Sequence, residues 1–216
     1  ANLLHEHCDV ADFAHVLEST RPDVLLAQEL GPDTARVVAD VFPVHHLRPA
    51  PHFTGRGFAS RFDATLTPFP VPGRPGTAAV LDIEGTEVAV AGIHLLNPID
   101  YPWWVTARTR RRQIDGLFSW LDTYAHLPAV VAGDFNASPA WPAYKRTAQR
   151  LTDLVEEWAQ DRGVDMERTW SWRPGWPRML RIDHVFGSGV RATGIEVRQI
   201  KGSDHAAIVA DIELVT

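Results

Sequence analysis

Residues 130–139 read VVAGDFNASP: two apolar residues, a small-residue turn, then a carboxylate and a carboxamide at Asp134 and Asn136. Successive side chains of an extended chain alternate faces, so this pair shares one face if strand geometry persists through Phe135. The apolar run reads as a buried strand, and Pro139 with the residues after it reads as the start of a helix. Open α/β sheets place their ligands beyond the C-terminal ends of strands, which is where this pair then sits. Gly, Asp and Asn also favour turns, so the stretch taken alone is equally an ordinary turn. What decides is whether other strand tips carry matching chemistry.

Upstream, the chain alternates. ANLL (1–4) reads as a strand carrying Asn2, and DVADFAHVLEST (9–20) as a helix whose Val10, Phe13, Ala14 and Leu17 repeat behind an Asp9 cap. VLLAQE (24–29) reads as a buried strand ending in Glu29, and Asp33 to Phe42 as a second helix begun by Pro32. Between Val44 and Leu95 the pattern becomes short β runs: RGFASRF, DATLTPF, TAAVLDI and EVAVAGIHLL, read as antiparallel hairpins, the last ending near His94. The loop NPIDYPWW (97–104) leads into an amphipathic helix from about Val105 to Tyr124. Its Arg108, Arg110, Arg111 and Arg112 read as a solvated face, with anion steering the alternative.

Downstream of the central stretch, AYKRTAQRL and TDLVEEWAQ continue a helical pattern, and TWSWRPGWP (169–177) is too rich in Trp and Pro to be regular. RIDHVF (181–186) reads as a strand bearing Asp183. A strand from Gly194 to Ile200, the turn KGSDH and a last strand AAIVADIEL close the chain.

A chain of 216 residues, 45% of them hydrophobic, suffices for one sizeable core, and no linker-like stretch divides it; one domain over residues 1–216 is expected. The formal net charge of -6 gives no general attraction for a polyanion, though a metal-filled cleft can be locally positive on an acidic protein. The single cysteine, Cys8, cannot form an internal disulfide and leaves the redox compartment open. No apolar run approaches the roughly 20 residues of a spanning helix. The sequence opens directly in strand residues without an initiator Met, so the first strand is read as clipped at its N-terminus. An upstream signal or anchor would make the domain extracytoplasmic; location is otherwise open.

Collected, the strand tips form an acid-rich set with two imidazoles and two carboxamides: Asn2, Glu29, His94, Asp134, Asn136, Asp183, Asp204 and His205. Oxygen ligands of this kind suit Mg²⁺, Mn²⁺ or Ca²⁺, and no Cys/His spacing of the zinc type competes. An Asp–His pair within the set would fix the imidazole tautomer and raise its basicity. Of the other histidines, His5, His7, His15, His45, His46, His52 and His126 are read as structural.

GDFNASP, the pair Gln28-Glu29, GIHLL, RIDHVF and the terminal SDH, in that chemistry and over nearly the whole chain, resemble the signature blocks of the endonuclease/exonuclease/phosphatase superfamily, which includes deoxyribonuclease I and the neutral sphingomyelinases. The resemblance implies a four-layer α/β/β/α sandwich of the deoxyribonuclease I-like type and an Mg²⁺-dependent hydrolase of phosphoesters. It implies that Glu29 is the principal metal ligand, with Asp204 near the same region and Asn2 helping. Asp134 would orient or deprotonate the attacking water, and Asn136 would hydrogen-bond a phosphoryl oxygen. His205, braced by Asp183, would contact the phosphate, and His94 would bind phosphate or assist the leaving group. The resemblance also implies a monomer acting on a small-molecule, lipid-headgroup or nucleotide phosphoester. No insert interleaves basic and aromatic residues as a duplex-gripping nuclease would, so nucleic acid is the alternative and not the first choice. A non-catalytic binding module is a further alternative. Trp103, Trp104, Trp170, Trp172 and Trp176 are expected either to wall the site or to fill the core.

Overall fold

Strand alternation sorts the side chains of this protein into layers. The computed structural model describes every residue except Glu6, Pro75 and Thr216. The chain opens with β1 (Asn2–His5), α1 (Val10–Thr20), β2 (Val24–Leu30), α2 (Pro32–Val41), β3 (Val44–Arg48) and β4 (Arg56–Ser60). Asp9 caps α1 by accepting from the Asp12 amide, and Pro32 starts α2, its fixed φ suited to a first turn. These strands form one sheet in the order β1-β2-β4-β3. Leu25 and Ala27 of β2 face outward and pack with Phe13 and Leu17 of α1 and Val38 of α2; Val24 and Leu26 face the other way.

The chain then crosses to a second sheet. It contains β5 (Asp63–Thr67), β6 (Thr77–Ile83), β7 (Thr86–His94), β8 (Ala129–Asp134), β9 (Thr152–Asp153) and β10 (Asp183–Ser188), in the order β5-β6-β7-β8-β10-β9. The helix α3 (Trp103–Thr123) lays Ile114, Leu117 and Trp120 on the outer face of this sheet against Ala89, Ala91 and Val131. Next come α4 (Pro142–Ala148) and α5 (Leu154–Arg162), and a separate hairpin of β11 (Val190–Gln199) and β12 (Ala206–Leu214) ends the fold. The two sheets meet face to face through Phe58, Val24 and Leu26 on one side and Leu81, Val88, Val90 and Val130 on the other. The architecture is therefore the expected α/β/β/α sandwich. No helix among the described residues is long and apolar enough to cross a membrane.

Three local readings differ from the structure. The runs from Val44 to Leu95 are not one series of hairpins: β4 pairs with β2 and β3, whereas β5 pairs with β6 in the opposite sheet. The stretch after the central strand turns at Pro139, and the helix starts at Pro142. The long helical pattern behind it is divided into α4 and α5 because Asp153 pairs briefly with β10 and then caps α5 through the amides of Val155 and Glu156.

Asp153 also anchors a buried polar cluster. Its Oδ2 accepts from Arg181 Nη1 at 2.7 Å and from the Tyr144 hydroxyl at 2.9 Å. Arg181 Nη1 lies 3.0 Å from His184 Nδ1, and His184 Nε2 lies 2.7 Å from the Ala137 carbonyl, which assigns the proton to Nε2. The Arg181 guanidinium holds the Asp153 carboxyl well below the usual carboxylate range despite its burial. Asp153→Ala strands a buried guanidinium and uncaps α5; a loss of about 3–5 kcal/mol is expected in urea unfolding. Because His184 holds the Ala137 carbonyl, the same change loosens the turn that follows Asp134.

Candidate active site

The parity that builds the inter-sheet core also builds the site. Val130 and Ala132 of β8 point into the seam between the sheets, and Asp134 continues that series at the strand's end. β7 runs parallel to β8 with His94 opposite Asp134, and β10 runs antiparallel with Asp183 opposite Asp134. Paired residues share a face, so an imidazole and two carboxylates stand in one row at one end of the seam. Asp183 is at the start of its strand; the antiparallel direction brings it to the same end. Gly133 permits this approach: at φ +141 an added Cβ would lie 2.1 Å from the Ile93 carbonyl oxygen.

The chain does not stay extended beyond Asp134. Asn136 takes a φ of +47, its amide donates to Asp134 Oδ1 at 2.7 Å, and its Nδ2 donates to Asp134 Oδ2 and to the Leu95 carbonyl, each at 3.1 Å. The shared face expected of a continuing strand is replaced by an Asx turn, and Asn136 braces Asp134.

The first sheet supplies the opposite wall. Asn2 Nδ2 reaches Asp134 Oδ2 at 3.1 Å and Glu29 Oε1 at 3.3 Å. Strand alternation would send Glu29 outward with Leu25 and Ala27, but its φ of +52 breaks the alternation and its carboxylate instead meets His5 and His94. A left-handed non-glycine residue costs of order 1–3 kcal/mol, and such strain concentrates at functional sites. The turn before β12 completes the set. Ser203 Oγ donates to the Asn2 carbonyl, fixing this turn on β1, and Asp204 Oδ2 accepts from Trp170 Nε1 at 3.2 Å. His205 Nδ1 lies 2.8 Å from Asp183 Oδ2, and its Nε2 lies 3.9 Å from Asp134 Oδ2.

These placements set the charges. Burial pushes the Asp134 carboxyl up to about 7, against the pull of His205. His205 is raised to about 10: burial works against its charge, but Asp183 and Asp134 outweigh it. Asp183, in direct contact with the imidazole, is held below the usual carboxylate range in spite of its own burial. His94 is lowered well below the usual histidine range by burial and then by Arg74, whose Nη1 lies 2.6 Å from His94 Nε2. A guanidinium only donates, so Nε2 is the accepting nitrogen and His94 is neutral. Its 3.5 Å approach to Asp134 is then no ion pair.

All eight strand-tip residues thus gather at one end of the seam. Glu29, His94, Asp134, Asn136, Asp204 and His205 line a cleft of about 1130 Å³, with Asn2 and Asp183 directly behind them. Asp134, Asp183 and His205 offer ligand atoms within 4.8 Å of one another. With His205 cationic and its Nδ1 engaged by Asp183, that trio suits proton transfer better than it suits a cation. Two further lining residues, not singled out in the sequence, touch the strand-tip set directly. Arg74 is buried, and its Nη2 bonds Asp100 at 2.7 Å. His5 Nδ1 lies 2.7 Å from Glu29 Oε2, outside hydrogen-bond geometry. Among the described residues, Arg74 Nε and Asp204 Oδ1 are buried polar atoms without a hydrogen-bond partner, both on cleft residues. Such atoms are costly unless a ligand satisfies them.

Solved structures share this fold. The 3′ phosphatase NExo from Neisseria, bound to product DNA hairpin, matches with a TM-score of 0.75 at 19% identity, over 98% of this chain and 97% of that one. The human Nocturnin catalytic domain matches at 0.70 and 17%, over 99% and 92%. The mannosyl-6-phosphatase of Bacteroides thetaiotaomicron matches at 0.70 and 15%, over 99% and 98%. Identities this low speak for the fold alone. No curated protein sequence matches the chain. The family model of the Endonuclease/Exonuclease/phosphatase family matches residues 1–205, a span that runs from the first strand through His205, and the chain belongs to that family.

Proposed function

We propose that this protein is a divalent-metal-dependent hydrolase of phosphoesters in which Asp134 acts on the attacking water. The observation that carries the reading is geometric: at one end of the inter-sheet seam Asp134, held by Asn2 and Asn136, stands 3.9 Å from His205 Nε2, whose Nδ1 lies 2.8 Å from Asp183, and these surroundings raise the carboxyl to about 7 and the imidazole to about 10. Between those values Asp134 is an available base and His205 an available acid, which is how acid–base chemistry is run near neutral pH. Asn2 and Asn136 orient Asp134, and Asp183 fixes the His205 tautomer so that Nε2–H faces the cleft side. Two solved structures of this fold are named as phosphatases, which supports a phosphoester substrate.

Glu29 and Asp204 bring to the cleft the carboxylate oxygens that a hard cation takes. Glu29 and Asp204 would hold Mg²⁺, with Asn2 assisting and Mn²⁺ or Ca²⁺ as substitutes; the buried Asp204 Oδ1, without a hydrogen-bond partner among the described residues, is available as a ligand atom. When bound, such an ion polarises the phosphoryl oxygens and offsets charge on the leaving oxygen. Arg74, one of the cleft's own cations, supplies a fixed charge beside neutral His94 and is placed to receive a phosphoryl oxygen. The chain is expected to act as a single domain.

The test is hydrolysis of bis-p-nitrophenyl phosphate and p-nitrophenyl phosphate with Mg²⁺, with Mn²⁺ and in EDTA. Metal-dependent turnover is expected. Absence of both turnover and Mg²⁺ binding at millimolar concentration would overturn the reading. Arg74→Ala is expected to raise KM about 10-fold or more, since a hydrogen bond to a charged group is worth about 1.5–3 kcal/mol, with a smaller change in kcat. Steady-state kinetics on the preferred ester measures both.

A further inference from the structure

The cleft has an apolar rim that the hydrolase chemistry does not use. On one side, the loop between β7 and α3 and the start of that helix expose Ile99, Tyr101, Trp103, Trp104 and Val105, with Ile99 at 79% and Trp103 at 76%. On the other, the loop between α5 and β10 exposes Trp172, Trp176, Met179 and Leu180. Ile99, Tyr101 and Val105 from the first loop and Trp172 and Leu180 from the second line the cleft, so both loops belong to one mouth. Exposed apolar side chains gathered at one mouth in this way mark an interaction site.

Charge beside the rim narrows the partner. Trp104, Arg108 and Arg111 recur at positions i, i+4 and i+7 of α3 and share one helix face. Arg108, Arg111 and Arg112 are exposed, and among the described residues none of them forms an ion pair. No acidic residue occurs in α3 before Asp115, in a chain whose net charge is -6. On the second loop the Arg173 guanidinium lies 5.6 Å over the Trp176 ring. A cationic, tryptophan-bearing rim fits either an anionic bilayer or a nucleic acid strand. The aliphatic members decide between them: Ile99, Val105, Met179 and Leu180 neither stack on bases nor hydrogen-bond to them, whereas an acyl boundary removes them from water. Trp, Tyr and Arg around exposed aliphatics is the composition of interfacial segments.

We propose that these two loops seat the mouth of the cleft on an anionic membrane surface and that the phosphoester offered to Asp134 is borne by a lipid headgroup. The substrate half rests on the hydrolase reading above; the docking half does not.

The test uses the full chain, vesicles of phosphatidylcholine alone and of phosphatidylcholine with phosphatidylglycerol, and two variants. Trp103 and Trp104 do not line the cleft, so Trp103→Ala/Trp104→Ala is expected to leave hydrolysis of bis-p-nitrophenyl phosphate unchanged while weakening vesicle co-sedimentation at least tenfold. Arg108→Gln/Arg111→Gln/Arg112→Gln is expected to lose the preference for anionic vesicles, which in the wild type is at least tenfold. Absence of binding to either vesicle, or binding that the tryptophan variant leaves intact, overturns the docking. So does tight binding of a single-stranded oligonucleotide that the tryptophan variant abolishes while vesicles are ignored. An enzyme that cleaves the soluble diester and binds vesicles, yet releases no phosphorylated headgroup from them, overturns the lipid substrate. Vesicle binding without turnover of either soluble ester and without Mg²⁺ binding at millimolar concentration overturns the hydrolase reading and leaves the docking standing.

Discussion

Asp134→Asn is expected to lower kcat on the preferred phosphoester by about 10³-fold, in the middle of the range for loss of a general base. Asn is close in size and keeps an oxygen to accept from the Asn136 amide, but it cannot take a proton from water. The stability of the same variant tests the cause. Burial raises the wild-type carboxyl from about 3.9 in the unfolded chain to about 7 in the fold. Between those values the folded state binds the extra proton, so this group's contribution declines as pH rises through the window and is fully lost above about 7. The stability of the wild type relative to Asp134→Asn should therefore fall from pH 4 to pH 7, by at most about 1.4 kcal/mol per pH unit, and change above that only through the His205 proton that Asp134 helps to hold. Urea unfolding in EDTA across that range measures it. A difference that does not vary with pH would show that the carboxyl is not raised, and would remove the basis for its role.

Why Asp134 was legible and Arg74 was not is a matter of which signals are local. A buried strand announces itself by its apolar run, and a polar residue at its tip has few structural uses, so Asp134, Glu29 and His94 stood out. The resemblance of spaced blocks carried the layer architecture further than periodicity could. Arg74 lies in the turn-rich segment VPGRPG, where nothing in the sequence separates a solvated arginine from one packed against an imidazole 20 residues away. His5 is one of several histidines near the N-terminus, and its proximity to Glu29 depends on the left-handed backbone at both residues, which no pattern signals. Sheet membership was equally hidden. Ser60 ends a strand of one sheet and Asp63 begins a strand of the other, and a two-residue step between sheets has the same local pattern as a hairpin. Asn136 was found by its type and spacing, but its job of bracing Asp134 emerges only from the turn it makes.

The Asp183–His205 pair is expected to set the alkaline limit of activity. His205 is raised from about 6.5 in the unfolded chain to about 10 in the fold, and the nearer carboxylate, Asp183 at 2.8 Å, is the stronger influence. With Asp134 near 7, the working state in which Asp134 is ionised and His205 is protonated lies between about 7 and about 10, so kcat/KM should plateau there. Asp183→Asn keeps an oxygen for the Nδ1–H but removes the charge. The rate is expected to fall about 10²- to 10⁴-fold, the span of a lost acid–base partner, and the alkaline limb to move at least one pH unit toward neutrality. Stability follows with a definite sign. The raised imidazole contributes fully below about 6.5, and that contribution is lost as pH climbs toward about 10. The lowered Asp183 carboxyl contributes above about 3.9 and loses its contribution as pH falls below that. The wild type should thus hold its largest advantage over Asp183→Asn between about pH 4 and 6.5 and give it up on the alkaline side. An alkaline limb that stays in place in the variant would show that Asp183 does not govern the His205 proton, and the acid would have to be sought elsewhere in the cleft.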